Sequence, residues 1–168
     1  FQARRMNLRF KGGEYELRSY LGATYLDGDV AAISRVQRSS AHYFQRPDRT
    51  YARFDPSLTS IAGYKTGGVL ERTGGQHWIW AIDTDVESPG LETNDIGRLN
   101  SGDGFMVNGV LRYRETVPGP LFRNYSVGVS QNNEFTFSNE RRGGSARANM
   151  TLTFLNFWTF NLNTKFDL

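Results

Sequence analysis

Six carboxylates crowd the middle of this sequence: Asp83, Asp85, Glu87, Glu92, Asp95 and Asp103. Clustered carboxylates are the ligands a hard cation such as Ca²⁺ takes, and Asp83, Asp85 and Glu87 are the candidates for such a site. Paired carboxylates can also hydrolyse glycosides, one acting as acid and the other as base or nucleophile. The spacing supports neither chemistry well. It has no EF-hand pattern and no glycine where that loop needs one, so the run reads as a solvated loop. His42 and His77 are the only histidines. Neither has partners at a spacing that would make a metal site or a triad, and both read as loop or interface residues. Ser39 and Ser40 lack the G-x-S-x-G frame of a nucleophile elbow. Gly67-Gly68 and Gly102-Asp103-Gly104 lack the Lys-Ser/Thr and the helix that a phosphate cradle needs. The expectation is therefore no catalytic set and no cofactor.

A different chemistry is available to the arginines. Arg46, Arg49 and Arg53 interleave with Tyr43, Phe44, Tyr51 and Phe54. Such a segment can stack sugars or bases, or it can fold over the mouth of a barrel. Together with Arg112, Arg114 and Arg147, which stand at polar positions of alternating segments, Arg46, Arg49, Tyr51 and Arg53 are the candidate ligand contacts. Nucleic acid is not the expected partner, because a formal charge of +3 is small and scattered.

The elements that carry these residues alternate with period two, the mark of strands with two different faces. Trp158, Phe160, Leu162, Phe166 and Leu168 alternate with Thr159, Asn161, Asn163, Lys165 and Asp167. Ala146, Ala148, Met150, Leu152 and Phe154 alternate with Arg147, Asn149, Thr151 and Thr153. Leu155-Asn156-Phe157 joins the two into a hairpin. Similar runs occur near Met6–Phe10, Tyr15–Tyr25, Leu58–Arg72, His77–Asp85, Phe105–Arg114 and Tyr125–Phe137. The fold class is all-β, an antiparallel up-and-down meander of about eight strands. Eighteen glycines and 14% aromatic residues suit it. One helix is expected in Val30–Phe44, on a stripe of Ile33, Val36 and Tyr43 that ends before Pro47.

Connection lengths point to a particular kind of meander. Gly12-Gly13, Gly74-Gly75, 117–120 and 155–157 are short, whereas 27–57 and 87–103 are long and 138–144 is intermediate. Short turns at one end and long loops at the other are the pattern of outer-membrane barrels. No run approaches the roughly 20 apolar residues of a membrane helix. A mean hydropathy of -0.53 is compatible with barrel strands, which show lipid only every second side chain. Trp78, Trp80, Tyr113, Tyr125, Phe157 and Trp158 would then form an aromatic girdle at the membrane interface. The polar parity would line a lumen. The absence of cysteine is compatible with a periplasmic route. Both ends fall inside strands, so residues 1–168 read as one segment of a larger barrel, partnered by the lipid bilayer and by the remaining strands of the barrel or neighbouring membrane proteins. Alternation alone leaves two other readings open: a soluble all-β ligand- or carbohydrate-binding module, and a surface glycan-acting enzyme.

Three stretches carry a resemblance: SRVQRSSAHYFQRPD at 34–48, GQHW at 75–78 leading into SPGLETNDIG at 88–97, and PGPLFR at 118–123. In order and spacing they resemble the uncharacterised C-terminal barrel domain (domain of unknown function 5916) of bacterial proteins with a carbohydrate-binding-family-9-like N-terminal module. The resemblance implies an outer-membrane location in Gram-negative bacteria and a barrel larger than this chain. It supplies no catalytic residues.

Overall fold

The alternating segments become eight strands in a computed structural model that describes residues 2–47, 49–93 and 103–168. They are β1 (Gln2–Phe10), β2 (Tyr15–Asp27), β3 (Ser60–Arg72), β4 (Trp78–Glu87), β5 (Gly104–Glu115), β6 (Phe122–Phe135), β7 (Arg141–Phe154) and β8 (Thr159–Asp167). Each strand pairs antiparallel with its neighbours in sequence, giving one meander sheet in the order β1 to β8. The expected meander is present. These eight strands do not close into a ring: β1 and β8 each have a single neighbour.

Register keeps the two parities apart. Leu8 faces Leu17, Leu17 faces Leu70 and Leu70 faces Ile82. Farther across, Trp80 faces Leu111, Leu111 faces Val129, Val129 faces Ala148, and Met150 faces Leu162. One face is therefore mainly apolar from edge to edge, interrupted by Arg4, Thr66, Arg72, Gln131 and Asn133, and the other carries most of the charges, amides and hydroxyls. A slip of one residue in any pairing would mix the two faces, so the pattern itself fixes the register.

The buried core lies on the unexpected side. Ile33, Phe44, Ala52 and Ile61 form the buried cluster, with Leu26, Val36 and Phe54 packed against it. Ile61 and Leu26 are register partners on the polar face. The loop between β2 and β3 thus folds onto the polar face, while the apolar face has no cover among the described residues. Ile82 is 53% exposed, Val129 52% and Phe166 61%.

An α-helix, α1 (Val30–Arg38), begins this loop. Asp29 caps it, its carboxylate accepting from the Ala32 N–H at 2.6 Å. The helix ends six residues before Phe44, the end of the expected range. Ser39 is extended, with ψ of 156°. Beyond it a series of turns brings Ala41, His42 and Phe44 into the interior, and Tyr43 is left exposed with φ of 48°. The long connections are 28–59 and 88–103, and the intermediate one tightens to 136–140. Length asymmetry therefore rests on two of the three connections at that end of the sheet.

Candidate functional site

The polar face divides into three regions. Over β1–β4 most of its charges neutralise one another across the strands. Glu16 accepts from Arg9 Nε at 3.0 Å and from Asn7 Nδ2 at 3.0 Å. Arg18 donates to Glu71 at 2.7 Å. Lys65 reaches Glu87 at 2.6 Å and Asp85 at 3.2 Å, and the Tyr20 hydroxyl donates to Asp85 at 2.6 Å. Asn108 donates to Asp83 at 2.7 Å. The Tyr20 ring needs Gly67 beneath it, because a Cβ there would sit 2.9 Å from the ring carbon bearing the hydroxyl.

The second region is the seat of the long loops. His42 is fully buried. Its Nδ1 lies 2.8 Å from the Pro89 carbonyl and its Nε2 lies 2.9 Å from Glu92. One imidazole thus ties the β2–β3 loop to the β4–β5 loop. Arg49 and Asp103, 5% and 1% exposed, form a 2.8 Å ion pair. Tyr51 donates to the same carboxylate at 2.8 Å, and Arg142 of β7 stands 3.6 Å from it. Burial, followed by this hydrogen bond to a carboxylate, raises the Tyr51 pKa above its ordinary value. Gln37, also fully buried, donates to the Asp55 carbonyl and accepts the Asp55 N–H, each at 2.8 Å. The loops touch the strands backbone to backbone. A Cβ on Gly63 would stand 2.0 Å from the Leu91 nitrogen, and one on Gly90 would stand 2.1 Å from the Ala62 carbonyl oxygen.

The third region, on β5–β8, is a hollow of about 650 Å³ in which Arg112, Arg147 and Lys165 converge among Ser130, Asn149 and Asn163. Lys165 turns to Asp167 at 2.6 Å. Arg112 and Arg147 have no acidic or hydrogen-bonding partner among the described residues.

These positions change the standing of the residues singled out from sequence. Asp83, Asp85 and Glu87 sit side by side on β4, but each is already engaged by Asn108, Tyr20 or Lys65. Among the described residues no group of three or more His, Cys, Asp or Glu side chains could hold a metal ion. Asp95 lies outside the described residues. Arg49 and Tyr51 hold the loop in place, and Arg114 donates to the Gly75 carbonyl at 3.2 Å. Arg53 is exposed on the loop and Arg46 is half-buried there. The sequence brought His42 no partner, because Glu92 is 50 positions away and only the crossing of two loops joins them. Asp103 was likewise grouped with a solvated acidic run, yet it is almost wholly buried.

Many of the aromatic residues lie against one another. On the apolar face, at the short-turn end, Phe10 stacks on Tyr15 with ring centroids 5.4 Å apart, and Tyr15 meets Trp80 at 6.2 Å. Trp78 meets Tyr113 at 5.1 Å, Tyr113 meets Tyr125 at 6.1 Å, and Phe122 joins Tyr125 to Phe154 at 6.0 and 5.1 Å. Trp158 and Phe157 extend the belt on the last turn, where the Arg123 guanidinium lies 4.5 Å from the Phe157 ring centre. At the other end Phe105 stacks on Phe135 at 5.1 Å, with Tyr25, Tyr64 and Phe166 on the same face.

A family model described as a domain of unknown function (DUF5916) matches residues 23–168. The chain belongs to that family. The match takes in β3 to β8, the last five residues of β2, and both loops of the DUF5916 seat. Comparison of the chain with curated proteins and with solved structures gave no match.

Proposed function

We propose that this DUF5916 chain is a segment of a bacterial outer-membrane β-barrel with a structural or transport-related role. Its apolar face would meet lipid, and its polar face would line a wet lumen whose mouth is occupied by the β2–β3 loop. The observation that carries the reading is which face is covered. A soluble sheet buries its apolar face and leaves the polar one to water. Here the loops pack on the polar face, and the apolar face stays exposed among the described residues. Soluble monomers rarely expose contiguous apolar patches beyond a few hundred Å². The strand pair Ala146–Phe154 and Trp158–Leu168 distinguishes a soluble module from a membrane wall, and its apolar side chains Phe160, Leu162 and Phe166 are 49%, 47% and 61% exposed.

Dimensions support the same reading. On β2 the two aromatic bands are marked by Tyr15 and Tyr25. Ten residues at about 3.4 Å each give about 34 Å along the strand. At the tilt of about 40° usual in such barrels this projects to about 26 Å, close to the apolar band of about 25 Å. Leu21, Ala23, Ile82, Leu111, Val129, Met150 and Leu162 fill the interval.

The closed structure would need more than eight strands. An eight-stranded barrel has an interior just wide enough for side chains. This polar face carries a helix and a looped segment with its own core. The free edges of β1 and β8 would pair with further strands, because unpaired N–H and C=O groups in hydrocarbon cost several kcal/mol each. The test is behaviour in detergent. The chain is expected to be folded and monodisperse in detergent micelles and to aggregate when detergent is removed. A folded, monodisperse monomer in detergent-free buffer would overturn the proposal.

A further inference from the structure

On most of the polar face charges are neutralised across the strands, but between β5 and β8 they are left to accumulate. Arg147 and Lys165 are direct cross-strand partners. Like charges in that relation destabilise a sheet. Arg112 lies two strands away from Arg147, and only Gly128 and Ser130 of β6 stand between them. The Asn149 amide leans over Gly128, so it lies in the same gap. Asp167 serves Lys165, which leaves Arg112 and Arg147 without a counter-charge among the described residues. By contrast, Arg9, Arg18 and Lys65 each have a carboxylate within 3.0 Å. Arg5 at the β1 edge also stands alone among the described residues, but a sequence that pairs most of its charges on a face and gathers three of one sign in a single hollow is departing from its own rule, and such departures mark functional positions.

The remainder of the wall indicates what would fill the hollow. Asn149, Asn161 and Asn163 offer amides, and Ser130 and Thr151 offer hydroxyls. Amides and hydroxyls both donate and accept, which matches the hydroxyl groups of a polyol, and paired guanidiniums match a carboxylate or phosphate. At about 650 Å³ the hollow is large enough for a ligand of sugar size. We infer that the β5–β8 hollow binds an anionic sugar, with Arg112 and Arg147 on its carboxylate or phosphate and the asparagine amides on its hydroxyls. The inference concerns the polar face alone and does not depend on what covers the apolar one.

The test is calorimetric titration of the full chain in detergent micelles with glucose 6-phosphate, glucuronate, glucose and inorganic phosphate. Both anionic sugars are expected to bind at least about tenfold more tightly than glucose, the scale of a charge-assisted contact. Glucose 6-phosphate is expected to bind more tightly than inorganic phosphate. Arg112→Gln and Arg147→Gln should each weaken both anionic sugars about tenfold or more. Arg5→Gln, on the same face at the far edge, should change nothing. Both test arginines are exposed, so the variants keep the fold, which the unchanged far-ultraviolet circular dichroism would show. The inference is overturned if neither anionic sugar binds, if glucose or inorganic phosphate binds as tightly as glucose 6-phosphate, or if the two glutamine variants bind like the unaltered chain.

Discussion

Gly63 offers the sharpest perturbation of the loop seat. It lies on β3 where the β4–β5 loop crosses the polar face, and a methyl group added there would stand 2.0 Å from the Leu91 nitrogen and 2.2 Å from the Gly90 carbonyl carbon. Ordinary contact is about 3.4 Å or more, and both opposing atoms are backbone, so no side chain can swing aside. Gly63→Ala must therefore lift the 88–91 segment. That exposes Leu91, which is fully buried, at about 1.5–3 kcal/mol. It also disrupts the bonds from the Ser88 N–H to the Tyr64 carbonyl and from the Tyr64 N–H to the Ser88 hydroxyl, at 2.9 and 2.7 Å, each worth about 1 kcal/mol. The expected loss is about 3–5 kcal/mol, confined to the loops. Amide hydrogen exchange of the detergent-solubilised chain measures it: protection at 88–92 and 41–44 should fall about a hundredfold or more, while that of β6 and β7 stays unchanged. Gly109→Ala is the control. Gly109 lies on β5 with nothing within 4 Å of its added Cβ, so the substitution should be neutral or stabilising by a few tenths of a kcal/mol. Equal protection in Gly63→Ala and the unaltered chain would refute the reasoning that backbone contact seats the loop.

Two further outcomes follow from the same seat. Asp103→Asn leaves the Arg49 guanidinium buried without its ion-pair partner and should cost about 3–5 kcal/mol, read as a lower midpoint for tryptic cleavage within the 28–59 loop; a midpoint shift below about 1 kcal/mol would contradict it. Tyr51 has a folded-state pKa above its unfolded value of 10.0, so its neutral form favours the folded loop. That contribution is complete below pH 10 and is lost as pH rises through the higher folded value, so the stability difference between the unaltered chain and Tyr51→Phe should shrink above pH 10; a difference that stays constant or grows there would contradict the assignment.

Much of the sheet was legible because each strand meets two unlike environments, and that writes itself into period two. The runs from Ala146 to Phe154 and from Trp158 to Leu168 were readable residue by residue, and the aromatic belt followed from the parity of Trp78, Trp80, Tyr113 and Tyr125. The loop seat was not legible. His42 and Glu92 are joined only because two loops cross, and Arg49 meets Asp103 for the same reason. No local pattern encodes such a crossing. Arg46, Arg49 and Arg53 among their aromatic neighbours resembled a ligand-stacking segment, yet Arg49 is spent on holding the loop, whereas Arg112 and Arg147 remain available. The helix ended early because Ser39 turns extended and its successors enter a core that the helical stripe could not foresee.

The central claim is that the apolar face meets lipid, and the chain's three tryptophans report on it directly, since Trp78, Trp80 and Trp158 all belong to the belt at the short-turn end. The decisive measurement is tryptophan fluorescence of the chain reconstituted in bilayers of brominated phospholipid. Bromines placed near the headgroup should quench strongly, bromines near the chain ends more weakly, and aqueous acrylamide little. Full acrylamide quenching with no effect of either bromine position would contradict the account.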